Sequence, residues 1–298
     1  MAEMSPTLEM AEELAQIYRP SRRQRLRETL GLITASKTAV VGLALVLFWV
    51  TVALFSLVTT LNPYIQDVNA VNAGPSATHL LGTDDLGRDL LARVVHGTRL
   101  ILTLAPLSVL VTLFIGSALG LIAGYFAGIV DEVVMRLLDA MMAFPTILLY
   151  MIIIAAVGPS SGNIVLAIAV AGVPGIARLV RSLTLDIRTR DYIAAAELRG
   201  ENPLYIMFVE ILPNARGPII VDAMLRVGYA VFSIGTLGFL GLGVPPPSPD
   251  WGSMVARGRN FIWTNPWAVL WPALAISTLV VGLNLFADGV REESLRYQ

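Results

Sequence analysis

From residue 40 to residue 60 the chain runs for 21 residues without a charged side chain. At about 1.5 Å of helical rise per residue, such a run reaches roughly 31 Å, enough to cross the hydrocarbon core of a bilayer. No water is present there to pair with peptide groups, so the backbone has to satisfy itself, as a helix does within one segment. Residues 100–126, 133–157, 164–180, 218–242 and 267–286 are also predominantly apolar, with at most two charges each, and read as further spans. The pattern predicts an all-α integral membrane protein with six transmembrane helices in one domain. Only 14% of the residues are charged and 55% are hydrophobic, where a soluble domain carries about 25% charged residues.

The basic residues orient these spans. With the N-terminus in the cytoplasm, and with Arg136 and Arg178 counted at the cytoplasmic ends of their spans, the 21 Lys and Arg fall on the cytoplasmic side except for Arg88, Arg93, Arg99, Arg257 and Arg259 outside and Arg226 deeper within a span. That asymmetry follows the positive-inside rule and predicts that both termini are cytoplasmic. Residues 1–37 read as a cytoplasmic tail, and residues 38–298 as the membrane domain. Within the tail, Leu26, Leu30 and Ile33 recur at helical spacing among Arg22, Arg23, Arg25 and Arg27. This predicts an amphipathic helix over 22–37 lying on the anionic leaflet. The acidic, polar start does not resemble a cleavable signal peptide, so the first span is expected to serve as the membrane signal. A net charge of −1 gives no footprint for nucleic acid. The absence of cysteine excludes disulfides, thiolate metal sites and cysteine nucleophiles.

Residues 191–213, DYIAAAELRGENPLYIMFVEILP, look built rather than merely solvated. Asp191 is placed to cap a two-turn helix, and Gly200 to end it in a left-handed conformation. Asn202 and Pro203 are a cap and first residue for a second helix. Tyr192, Ala195, Ala196 and Arg199 share one face of the first helix, where small alanines allow close approach to another protein. Elsewhere, Gly116, Gly120, Gly124 and Gly128 form successive GxxxG steps on one face of the second span. Such a face lets two helix backbones approach closely, either within the chain or across a dimer seam. Asp222 and Arg226 stand one turn apart in the fifth span and can form an intramembrane ion pair or contact a substrate.

Ala194-Ala195-Ala196, followed by Gly200 and by Leu212-Pro213, resemble the EAA loop of bacterial ABC-importer permeases. Ala194 stands where a leading Glu is usual and Glu210 where a branched apolar residue is usual, positions at which dipeptide and oligopeptide permeases vary. The run HLLGTDDLGRDLL at 79–91, with Gly82, Thr83, Asp84, Gly87, Arg88 and Asp89, is similar to the segment before span two in peptide and nickel permeases. Asp131-Glu132, Met135-Arg136, Asp139 and Phe144-Pro145 match the same family, as do Phe239-Leu240-Gly241-Leu242-Gly243, Pro246-Pro247, Pro249 and Trp251-Gly252. With Asn284 and Asp288-Gly289 the likeness covers nearly everything after residue 35.

The resemblance is to the second, C-type permease of the dipeptide, oligopeptide and nickel importers, and it implies a type I ABC-importer permease fold in a bacterial inner membrane. The implied partners are a homologous second permease, two cytoplasmic ATPase subunits that hold ATP and Mg, and an extracytoplasmic substrate-binding protein. Residues 191–213 would be the coupling helices, with Tyr192, Ala194, Ala195, Ala196, Glu197, Leu198, Gly200 and Pro213 serving the ATPase contact. No catalytic residue, cofactor or metal is expected in the chain itself.

Other motif matches fail on their context. GLITASKT at 31–38 is one glycine short of a P-loop and follows no strand, and Lys37 is the only lysine. GPSSG at 158–162 matches G-x-S-x-G but falls in a turn between spans instead of a strand–helix elbow. His79 and His96 lack metal-ligand spacing, and Asp84, Asp85 and Asp89 lack the alternating pattern of a calcium loop. An intramembrane enzyme using Ser160, Asp222 and Arg226 is an alternative reading, as is a passive channel or scaffold, although no ring of pore carboxylates can be identified.

Overall fold

The computed structural model describes residues 36–296, so the amphipathic helix expected from residue 22 lies outside the described residues. Nine helices carry the described fold: α1 Lys37–Phe55, α2 Leu90–Phe126, α3 Gly128–Met142, α4 Thr146–Val157, α5 Ser161–Arg188, α6 Asp191–Leu198, α7 Pro203–Phe239, α8 Trp251–Gly258 and α9 Trp267–Arg296. Two isolated antiparallel bridges, Gln66 with Arg88 and Thr83 with Asp89, are the β pairing among the described residues.

Five of these helices, α1, α2, α5, α7 and α9, are long and apolar enough to cross a membrane alone. The remaining expected span, the third in the chain, differs from its expectation. Residues 133–157 do not form one helix, because α3 and α4 meet at a bend of 91°. Pro145 stands at the start of α4 with extended backbone (ψ 131°). A proline disfavours helical geometry in the residue before it and cannot donate to the preceding turn, so the break falls there.

Three more boundaries move for physical reasons. α2 starts ten residues before the apolar run, because Asp89 caps it by accepting from Ala92 N at 2.8 Å. α5 extends to Arg188, and Ser160 opens it by accepting from Asn163 N at 3.1 Å. α7 runs without a break from Pro203 through the fifth span, passing a π-helical turn at Ile206–Ile211. Pro213 lies just beyond that turn. Its missing N–H and its ring conflict with an ordinary α-helical turn, and a wider turn relieves the conflict.

The long axis of the bundle is the α2–α5 pair. An added Cβ at Gly116 would stand 2.7 Å from Ile176 Cβ, at Gly120 2.5 Å from Ala177 O, and at Gly124 2.6 Å from Thr184 Cβ. The glycine face therefore packs within this chain. Gly128 does not share it. Ala127 and Gly128 both have positive φ (53° and 55°), so the chain has turned away and nothing lies within 4 Å of a Cβ at Gly128. α1 is held against α9 in a similar way, with Gly42 against the Phe286 backbone.

Candidate functional site

Three places hold the singled-out residues. The first is the cap formed by the loops at 56–89 and 240–266. Asp84 is its centre. Its Oδ1 accepts from Leu86 N (2.9 Å) and Arg88 N (3.0 Å), and its Oδ2 from Arg88 Nε (2.8 Å). Arg93, fully buried in α2, sends Nη1 to Pro63 O (3.1 Å) and Pro247 O (3.4 Å) and Nη2 to Ser248 O (3.3 Å). Its Nε stands 3.5 Å from Asp84 Oδ2, an ion-pair contact. Thr83 donates to Ala70 O and accepts from Ala73 N (2.9 Å), while Asn265 Nδ2 donates to Thr83 O (2.8 Å). Asp89 caps α2 with one oxygen and meets His79 Nδ1 at 2.9 Å with the other. Gly87 has φ +71°, and a Cβ there would lie 2.1 Å from Asp67 O; Gly82, at φ +86°, approaches Ala73 O in the same way. The GTDDLGRD run is thus a buried polar lattice that ties two distant loops to the start of α2.

Asp250 closes the same cap. It caps α8, with Oδ1 accepting from Gly252 N at 3.0 Å, and it is fully buried against the bare backbones of Gly238 and Gly243. Burial pushes its carboxyl up to about 6, against the pull of backbone donors at Gly252, Ser253 and Val244. Beside it, Trp251 Nε1 donates to Val94 O at 3.0 Å, and the Trp251 ring meets Trp49 edge to face at 5.1 Å.

The second place is the arm at 191–213. Arg190, not Asp191, occupies the cap position of α6, and it makes no side-chain cap bond; Asp191 lies in the first turn. Gly200 ends the helix at φ +77°, with Gly200 N donating to Glu197 O (2.9 Å) and Glu201 N to Ala196 O (3.2 Å). That is the paired bonding of a Schellman ending. Asn202 Oδ1 then accepts from Leu204 N at 2.9 Å, with Pro203 first in α7.

Ala196 corrects the expected face. Ile193 and Ala196 are wholly buried against Ile206, Met207 and Ile211, so Ala196 is a packing residue of this chain. Tyr192, Ala194, Ala195, Glu197 and Leu198 remain exposed, as do Gly200 and Pro213, and Leu198 is 90% exposed. Glu197 stands near the Tyr125 hydroxyl, and Arg188 lies over that ring at 5.6 Å.

The third place lies inside the bundle. Arg226 Nε donates to Asp222 Oδ2 across one turn of α7, and Nη1 stands 3.5 Å from Gly172 O on α5. Two open clefts, of about 220 Å³ each, meet at Arg226 and share Thr146, Ala171 and Gly172. The bent α3–α4 pair borders them and is tied to α5 by Asp131 with Arg181 and by Asp139 with Arg178. Ser160 lines neither cleft and is committed to capping α5. Sequence reasoning placed Arg93 in an outer loop and gave Asp250 no role. The signal for Arg93 was available, as a lone arginine flanked by apolar residues in LLARVV.

Residues 116–292 match the model of a family described as binding-protein-dependent transport system inner membrane component. The dipeptide transport system permease protein DppC of Alkalihalophilus pseudofirmus is 42% identical over 268 residues, covering 89% of this chain and 88% of that protein. The di/tripeptide transport system permease protein DppC of Pseudomonas aeruginosa is 44% identical over 219 residues, covering 74% of this chain and 72% of its own. Among solved structures, a chain of the MetNI methionine ABC transporter in inward-facing conformations aligns with a TM-score of 0.52 at 21% identity. It covers 67% of this chain and 96% of that one, a likeness of fold.

Proposed function

The chain belongs to the family of binding-protein-dependent transport system inner membrane components, and from that premise we propose that it forms half of the membrane pathway of an ATP-driven importer of small peptides. The observation that carries the substrate class is the 42% identity to a dipeptide permease along nearly the whole chain. In this reading a homologous permease supplies the other half. Two cytoplasmic ATPases hydrolyse ATP with Mg, and an extracytoplasmic binding protein delivers the peptide. Both termini and the arm at 191–213 face the cytoplasm, and the lattice around Asp84 faces outward. α6 is the contact for the ATPase. Ile193 and Ala196 anchor it to the bundle, while Ala194, Ala195, Tyr192 and Leu198 face away from the chain.

The test is reconstitution of the full transporter in vesicles, with uptake of radiolabelled dialanine read against ATP and binding protein. Uptake that needs both supports the reading; no uptake, or uptake without ATP, overturns it. Ala195→Trp places a bulky ring on the exposed face of α6 and should lower ATPase co-purification and uptake at least tenfold with membrane insertion intact. Normal co-purification and uptake in this variant would remove α6 from the contact.

A further inference from the structure

An ion pair that only neutralised two charges on one helix would gain nothing from lining open space. Arg226 does line it, at the meeting point of both clefts. It lies about 12 Å along the helix axis from Pro218, well inside the expected span, where a charge without function is costly. α5 makes room for it. A Cβ at Gly175 would stand 2.7 Å from Nη2 and 3.1 Å from Nη1, so the guanidinium lies against bare backbone.

A guanidinium carries five N–H donors in a planar fork. Asp222 takes Nε, Gly172 O is a distant acceptor for Nη1, and Nη2 has no hydrogen-bond partner among the described residues. The terminal edge of the fork is therefore available to a planar acceptor with two oxygens, which is a carboxylate. Hydroxyls gather around the same space in an otherwise apolar wall. Tyr150 and Ser233 pair at 3.3 Å and line the first cleft, and Thr146 borders both. Each cleft holds about 220 Å³, less than the roughly 300–1,000 Å³ of an enclosed small-ligand site, as suits a passage more than a storage pocket. We propose that Arg226 is a transit site for the carboxylate of the transported solute, its free edge receiving the C-terminal carboxylate of a small peptide as it passes between the two clefts. This rests on the peptide-importer reading above.

The competing role is charge balance: Arg226 exists to neutralise Asp222. Removing both charges separates the two. In the reconstituted transporter with its binding protein, Arg226→Gln should lower dialanine uptake at least tenfold, and Asp222→Asn with Arg226→Gln should remain as low. Co-purification of all subunits of the complex should stay within twofold of wild type. Uptake restored in the double variant, or unchanged in Arg226→Gln, overturns the site. Arg226→Lys keeps the charge but not the fork, which keeps the series readable if the neutral variants do not assemble. A KM for uptake raised threefold or more supports the site, and an unchanged KM overturns it. Failure of the wild type to take up dialanine is a different result, because it overturns the peptide reading itself.

Discussion

The two ends of the bundle treat their polar residues in opposite ways. At the loop end, Thr83, Asp84, Arg88, Arg93, Asp250 and Asn265 are all buried, each joined to a partner that the chain itself supplies. At the arm end, the pairs Asp139–Arg178, Asp186–Arg190 and Glu201–Arg199 stand open to the surroundings. Leu198, Leu204 and Phe208 are exposed beside them. A buried polar group left unpaired is costly, and the loop end pairs most of its own, with Asn72 Oδ1, Asp250 Oδ2 and Asn265 Oδ1 left without a hydrogen bond. The arm end leaves apolar side chains uncovered in a rim of charges, as surfaces do that are completed by another protein. Trp263, Val68 and Ile65 are uncovered at the loop end too, so what separates the two ends is the placement of charge, buried at one and open at the other.

The sharpest way to break this contrast is to cut one arginine at each end. Arg93→Met removes the donors of Pro63 O, Pro247 O and Ser248 O and leaves Asp84 with Arg88 alone. Breaking a buried pair from one side costs about 3–5 kcal/mol. Arg178→Met breaks a pair whose side chains are 44% and 50% exposed, so it should cost less than about 1 kcal/mol. Thermal melting of the purified chain should show a large shift for the first and almost none for the second. Equal shifts would mean that burial of the cap lattice is not what holds the loop end.

A smaller effect at the loop end depends on pH. Burial raises the Asp250 carboxyl from the usual 3.8 to about 6. The folded chain then holds this proton where the unfolded chain has lost it, so folding binds more protons between those values. Stability from this group is complete below about pH 4, declines as pH rises through about 6, and stays low above. A shift of about two units corresponds to something on the order of 3 kcal/mol at most. Asp250→Asn keeps a good helix cap and cannot ionise. Relative to wild type, it should gain stability as pH rises from 5 to 7.5; a constant difference across that range would show that Asp250 titrates normally.

Much of this contrast can be read from the sequence, and its gaps have physical causes. Gly116, Gly120 and Gly124 are readable because helical period and residue size act locally; Gly128 is not, because the turn at Ala127 precedes it. The break in the third span is signalled by Phe144-Pro145, yet the hydropathy of 133–157 hides it, since apolar content is insensitive to a bend. α2 starts at Leu90 because Arg93 is paired with protein instead of facing lipid, and average hydropathy carries no information about pairing. Gly200 and Asn202 mark the ends of the arm helices correctly through local turn chemistry. Ala196 turns inward because Ile206, Met207 and Ile211 fold back over α6, a contact set by the return of the chain. The Asp222–Arg226 spacing is visible as one helical turn, but the clefts that meet there require α4 and α5 to be in place.

The smallest expected effect on stability sharpens the contrast most. Leu198 ends α6 with 90% of its surface exposed, while Ile193, on the same short helix, has none. A surface substitution without special contacts changes stability by no more than about 0.5 kcal/mol. Leu198→Ser should therefore leave the melting temperature of the isolated chain unchanged. If the arm end is completed by the ATPase, the same side chain is buried on assembly, and losing an anchor of that kind costs upwards of about 1 kcal/mol in binding. That is a roughly fivefold or greater weakening of association, since each 1.4 kcal/mol is about a factor of ten. Co-purification of the ATPase should fall accordingly in the same preparation that melts like wild type. A lowered melting temperature would place Leu198 in the chain's own packing, and unchanged co-purification would move the partner's contact away from this end of α6.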